Sequence, residues 1–295
     1  LGAGMIEVID ILAKMQKKVS IEELVFSKIR TKDYILSIPH GGTLILAKLR
    51  HKLNIGKSLL IGTDLFTEQL YDTSKGIVVI SKLNPYLVNM NRFRDEQHNK
   101  KLPLHLQQDP LHGISLTGEE ILREEYSASE KEMLLSLYDR YHTLLKEAIE
   151  EMKQELGFAL MFDCHSMSSI GLKGTPDEGK ERPDFVIGTA NDKASHHKII
   201  SAFYEALKEE AQAYGMRVEK NRPYKGGFIT QNYGKPDKKV NVIQLEVKKA
   251  TYMYEGLRDD YRSCFAIKPE EMKRVKSIIA TAFACAADKA KEIYS

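Results

Sequence analysis

Cysteine is scarce in this 295-residue chain: Cys164, Cys264 and Cys285 are widely spaced and odd in number. That pattern supports neither a disulfide framework nor a Cys-rich zinc module. Long apolar runs are missing too. No segment approaches the roughly eighteen uninterrupted apolar residues of a membrane span, and the opening LGAGM lacks the basic head and apolar stretch of an export signal. A cytoplasmic location with no membrane partner is the expectation, and residues 1–4, ahead of Met5, stand where an expression remnant would. An excess of one charge is also absent. Forty-four Lys plus Arg face forty-one Asp plus Glu, a formal +3 without a basic tail, which leaves no footprint for nucleic acid. Oligomeric state is left open. What is present suffices for a core, because a chain of roughly 300 residues buries about three quarters of its unfolded surface. No repeat or low-complexity linker marks a cut, so a single domain over residues 1–295 with functional insertions is expected.

The element pattern is that of an α/β protein. YILSIPH (34–40), GIVVISKLNP (76–85), FALMFDCHS (158–166), DFVIGTA (184–190), MRVEKN (216–221) and NVIQLEVKKATYM (241–253) read as strands, the fourth-last of these apolar enough to be covered on both faces. SLLIGTD (58–64) repeats the pattern and reads as another. LFTEQLY suits a short helix that Asp64 could cap. TGEE from Thr117 resembles a capping box, and apolar residues from Leu134 to Met152 at helical spacing predict two helices broken near 127–129. Residues 194–214 form an amphipathic helix, and Pro269 starts a final one that runs to about Glu292. RPYKGGFITQNYGKP (222–236) reads as a ligand-facing excursion or a plain hairpin. Strands separated by helices make a mostly parallel sheet flanked by helices.

Three polar groups follow apolar strands in the same manner: His40 after ILSIP, Asp64 after LLIGT and His165 after LMFDC. Strand carboxyl ends face the usual ligand crevice of an open α/β sheet. Two imidazoles and a carboxylate are also a hydrolytic zinc set that leaves room for water, although HExxH is absent. The plainer alternative makes both histidines hydrogen-bonded loop residues and Asp64 a helix cap. Glu246 lies inside a strand, where burial would be expensive without a partner and would suit a base; alternation with Gln244 and Lys248 on a solvent face explains it equally. Arg92 and Arg94 could recognise an anion or stabilise transition-state charge, or simply form surface ion pairs. Asn221, Tyr224 and Lys225, beside Gly226 and Gly227, could close over a carboxylate.

The ordered set SIPHGG, TDLFTEQLY, NMNRFRDE, LMFDCHSMSS, RPDFVIGT, NRPYKGGFITQNYG and VIQLEVKKATYM resembles the N-formylglutamate amidohydrolase family from about Tyr34 to Tyr254. The resemblance implies a mixed sheet between helices, a zinc exopeptidase-like (phosphorylase/hydrolase-like) fold and one catalytic Zn2+ per chain. It further implies His40, Asp64 and His165 as ligands, with Glu68 competing for the carboxylate role, and Glu246 as general base. Arg92 matches the family's Asn-Arg segment as a catalytic group, with Arg94 in a weaker substrate role; Asn221, Tyr224 and Lys225 match its PYKGG region. The implied substrate is a small anionic N-acyl amino acid, in the family N-formyl-L-glutamate, cleaved to formate and glutamate during histidine degradation. PHGG departs from the usual PHSG, and Lys248 and Lys249 stand where an Asn-Arg pair is typical. Two other functions compete: an aspartoacylase-like or peptidase-like hydrolase, and a noncatalytic protein that binds acidic metabolites.

Overall fold

The computed structural model describes residues 21–54, 57–94, 109–115, 118–255 and 265–295. The stretch 1–4, the capping role of Thr117 and Cys264 lie outside them. The strands are β1 (Val25–Ile29), β2 (Ile35–Ile38), β3 (Ile77–Ser81), β4 (Ala159–Met167), β5 (Phe185–Gly188), β6 (Val218–Lys220) and β7 (Val240–Lys248). They form one seven-stranded sheet in the order β1-β3-β2-β4-β7-β5-β6. The centre is parallel, and antiparallel pairing appears where β1 meets β3 and where β5 meets β7. The sheet is therefore mixed. Edge strand β1, exposed over much of its length, carries too little apolar pattern to stand out in the sequence.

Five helices matter for the argument: α1 (Lys57–Ile61), α2 (Thr67–Leu70), α3 (Ala128–Leu156), α4 (His197–Gln212) and α5 (Phe228–Tyr233), with α6 (Pro269–Tyr294) closing the chain. Residues 58–64 are thus not a strand. Leu59 and Leu60 are buried from a helix, and an apolar run this short has no period that separates the two cases. Among the described residues, 118–126 before Ser127 are not helical either. A single helix, α3, starts at Ser127, whose hydroxyl accepts from Glu130 N while the Glu130 carboxylate accepts from Ser127 N, and Gly157 ends it at φ 77°. The segment 222–236 contains α5 in place of a hairpin.

Adjacent residues of β4 show how the layers form. Phe162 stacks on Phe283 of α6 with centroids 3.8 Å apart and lies 5.3 Å from Phe203 of α4. Asp163 points the other way, toward Ser37 Oγ at 3.2 Å, which in turn meets Tyr141 Oη of α3 at 2.9 Å. Every residue of β4 and β7 is buried. Their parallel register sets Asp163 beside Gln244 and His165 beside Glu246, so two strands alone bring an imidazole and a carboxylate to the same edge of the sheet. No described helix is long and apolar enough to cross a membrane.

Candidate metal centre and active site

His40 leaves the end of β2, His165 stands near the end of β4, and Asp64 follows α1. Their ligand atoms all lie within 4.8 Å of one another. Asp64 is held in place through its backbone: its N–H donates to His40 O at 3.0 Å, and its carbonyl accepts from Thr67 N and from Thr67 Oγ1 at 2.7 Å. Its side chain does not cap α2, whose first turn follows Phe66 without a side-chain cap. It faces the imidazoles instead, with Oδ2 3.0 Å from His165 Nδ1 and 3.7 Å from His40 Nδ1. Glu68 points away and pairs with Lys82 and Lys28.

The far nitrogen of each ring has its own partner. His40 Nε2 lies 2.7 Å from Asn89 Oδ1, and His165 Nε2 lies 3.2 Å from Asp163 Oδ1. On His40, a proton on Nε2 that donates to Asn89 Oδ1 leaves Nδ1 bare toward Asp64, the arrangement that orients ligating histidines. Burial first, and the neighbouring His165 second, lower the His40 pKa to about 4, which favours the neutral ring. Burial also opposes charge on His165, but the carboxylates of Asp163 and Asp64 outweigh it and hold this ring well above its ordinary value. A ring proton shared with Asp64 is the one a bound cation would displace. The donor set therefore fits a divalent metal ion.

Glu246 opens into the same cavity, about 620 Å³ in volume. It is 7% exposed, which excludes a solvent-facing strand position, and burial raises its pKa to about 7. Arg92 also lines the cavity. Its Nη1 donates to Asn91 O at 2.9 Å, its buried Nε has no partner, and burial lowers its pKa to about 10. Arg94 is elsewhere: a fork to Asp139 at 2.9 and 3.1 Å occupies its guanidinium, and it does not line the cavity. Tyr224 and Lys225 do line it. Asn221 reaches the wall as well, but its amide is committed to Thr189.

Several contributors escaped the sequence. His112 lines the cavity edge-on to Tyr86, its Nδ1 3.1 Å from Asp109 O; nothing periodic in DPLHG announces it. Arg182 is fully buried, forked to Asp177 at 2.6 and 3.0 Å, with its guanidinium 5.0 Å from the Tyr224 ring centre. The pairing fixes one face of Tyr224. An arginine next to a proline before a strand was the available signal. Asn89 and Asn91 flank Met90 in the stretch that carries the two arginines; Asn91 Nδ2 lies 2.9 Å from His165 Nε2.

The model of the family described as N-formylglutamate amidohydrolase matches residues 32–253. The chain belongs to that family. It is 30% identical over 248 residues to the N-formylglutamate deformylase of Pseudomonas aeruginosa, covering 79% of this chain and 86% of that protein. The corresponding deformylase of Pseudomonas putida is 29% identical over 249 residues, with the same coverage. In fold the chain matches a crystal structure of N-formylglutamate amidohydrolase from Ralstonia eutropha JMP134 with a TM-score of 0.72 at 18% identity, over 91% of this chain and 98% of that one. A gene product from Agrobacterium tumefaciens gives 0.65 at 15% identity, over 93% and 98%.

Against this family background, both departures have a local explanation. A Cβ at Gly41 would collide with Thr67 Oγ1, so the threonine hydroxyl fills the space that a serine would need. Lys248 pairs with Asp184 at 2.7 Å and Glu181 at 3.3 Å, and Lys249 donates to Ile61 O at 2.7 Å. Neither lysine lines the cavity.

Proposed function

We propose that this family member is a zinc-dependent amidohydrolase that cleaves N-formyl-L-glutamate, or a related small N-acyl amino acid, to formate or another carboxylic acid plus the amino acid. The observation that carries the proposal is the meeting of His40, Asp64 and His165 within 4.8 Å beside a buried Glu246. His40 and His165 would bind the ion through Nδ1 and Asp64 through its carboxylate. Bound there, zinc supplies Lewis acidity toward the acyl carbonyl and acidifies water. Kinship with zinc exopeptidases belongs to the same proposal and rests on this donor set.

Glu246 takes a proton from the attacking water. Its Oε1 accepts from Gln244 Nε2 at 3.0 Å, which leaves Oε2 for that proton. Having taken that proton, the same carboxyl can protonate the departing nitrogen as the C–N bond breaks. Arg92, whose side chain lines the cavity, would meet the negative charge that develops on the carbonyl oxygen. Tyr224 and Lys225 contact the amino-acid part, and Asn221 shapes the turn that presents them. Arg94 has no part in this scheme.

The test is a turnover screen of metal-quantified protein against N-formyl, N-acetyl and short-peptide substrates. The proposal expects N-formyl-L-glutamate or a close analogue to rank first. Preference for peptides would transfer the site to a peptidase-like reaction, and no turnover across the panel despite stoichiometric metal would leave a binding protein.

A further inference from the structure

Gln244 sits between two parts of the site that the reaction uses separately. Its Oε1 accepts from Gly227 N at 2.8 Å, and its Nε2 donates to Glu246 Oε1 at 3.0 Å. Both bonds define the amide's orientation, because a backbone N–H can only donate and so takes the oxygen, leaving the NH2 group for the carboxylate. Gln244 and Glu246 are two apart on β7 and share a face, and Gln244 is buried.

The segment tied by the first bond is the cavity wall that carries Tyr224 and Lys225. It lies directly on the sheet: a Cβ on Gly188, the β5 partner of Gln244, would come within 2.7 Å of Gly226 N and 2.9 Å of Lys225 C. On its other side, a Cβ on Gly227 would come within 2.6 Å of the Asn91 amide. The wall has one seat, and Gln244 is a hydrogen bond in it.

We propose that Gln244 is a positioning residue: it pins Oε1 of Glu246, so that Oε2 alone faces the reacting water, and makes that alignment depend on the seating of residues 224–227. The proposal rests on the reading of Glu246 as the base.

The experiment is a double-mutant cycle on kcat between Gln244→Leu and Glu246→Gln, combined with hydrogen exchange at the Gly227 amide. In the wild-type background Q244L should lower kcat about 10²-fold, the scale of a misplaced catalytic group, with a smaller change in KM. In the E246Q background the same change should cost less than about twofold, because the carboxylate it positions is gone. Exchange at Gly227 should accelerate in Q244L and stay slow in Gln244→Glu, which keeps an acceptor for that N–H. Equal losses of kcat in both backgrounds would reduce Gln244 to a structural residue and overturn the proposal. Unchanged Gly227 exchange in Q244L would overturn the seating link, whether or not any substrate turns over. Absence of wild-type turnover across the substrate panel is a separate result that refutes the amidohydrolase reading and, with it, the role assigned to Glu246.

Discussion

Asp163 Oδ1 lies 3.2 Å from His165 Nε2, and Asp163 is fully buried at the centre of the sheet. Ser37, Asn91 and Thr230 also donate to its carboxylate. The aspartate can therefore hold the His165 ring in one orientation with Nδ1 toward Asp64. Asp163→Asn keeps the size and loses the charge. It should weaken zinc binding by about 10- to 100-fold, read by competition with a chelator, and leave turnover at saturating zinc much closer to wild type. Unchanged affinity would remove Asp163 from the metal centre.

The two arginines of the RFR stretch should separate cleanly. Arg92→Ala removes a cavity guanidinium and should lower kcat/KM about 10²- to 10³-fold. Arg92→Lys should recover little of this, since an ammonium cannot reproduce the planar fork. Arg94→Ala breaks a half-exposed pair with Asp139 and should change kcat/KM by less than about twofold and stability by at most about 1 kcal/mol. Comparable effects at the two positions would contradict the placement of the cavity.

Gly41 and Thr67 should behave as one unit. Gly41→Ser alone forces its Cβ against Thr67 Oγ1 and should destabilise by about 1–3 kcal/mol. Thr67→Ala alone loses the hydroxyl's bond to Asp64 O, worth about 1 kcal/mol. The double variant should be more stable than the sum of the singles predicts. Simple additivity in thermal unfolding would show that the two side chains do not compete for space.

Much of this site was legible because chemistry follows strand ends. His40, His165 and Glu246 each sit at or just beyond an apolar strand, and the parallel register of β4 and β7 does the rest. Asp64 was found for a weaker reason, since the run before it is a helix and not a strand. What the sequence could not show depends on side chains that meet across long separations. Arg94 looks the same as Arg92 until Asp139, 45 residues away, is seen to hold it. Gln244 and Lys248 alternate with Glu246 as on an exposed face, and only the packing of loops and helices over β7 shows that none of them is exposed. The antiparallel edge β1 was missed because a short, half-polar strand carries little periodicity, whereas the spacing from Leu134 to Met152 marked α3 and erred only in adding a helix ahead of Ser127.

Burial of Glu246 gives a pH signature in the metal-free protein. Its folded pKa of about 7 stands above the ordinary glutamate value of 4.5, so the unfolded chain releases this proton first as pH rises. Stability from this group is therefore greatest below about pH 4.5, falls between about 4.5 and 7, and is level above that. Glu246→Gln removes the penalty. Its melting temperature relative to wild type, both stripped of metal, should rise across that window and then plateau. A difference independent of pH would show that Glu246 ionises at its ordinary value.

The most direct measurement is formate release from N-formyl-L-glutamate by wild type and Glu246→Gln at equal, quantified zinc content. Wild type should bind about one zinc per chain, lose turnover on chelation and regain it with zinc, while the variant should keep the metal and lose about 10²- to 10⁴-fold in kcat. Near wild-type turnover by metal-replete E246Q, or full activity after zinc is removed, would contradict the account.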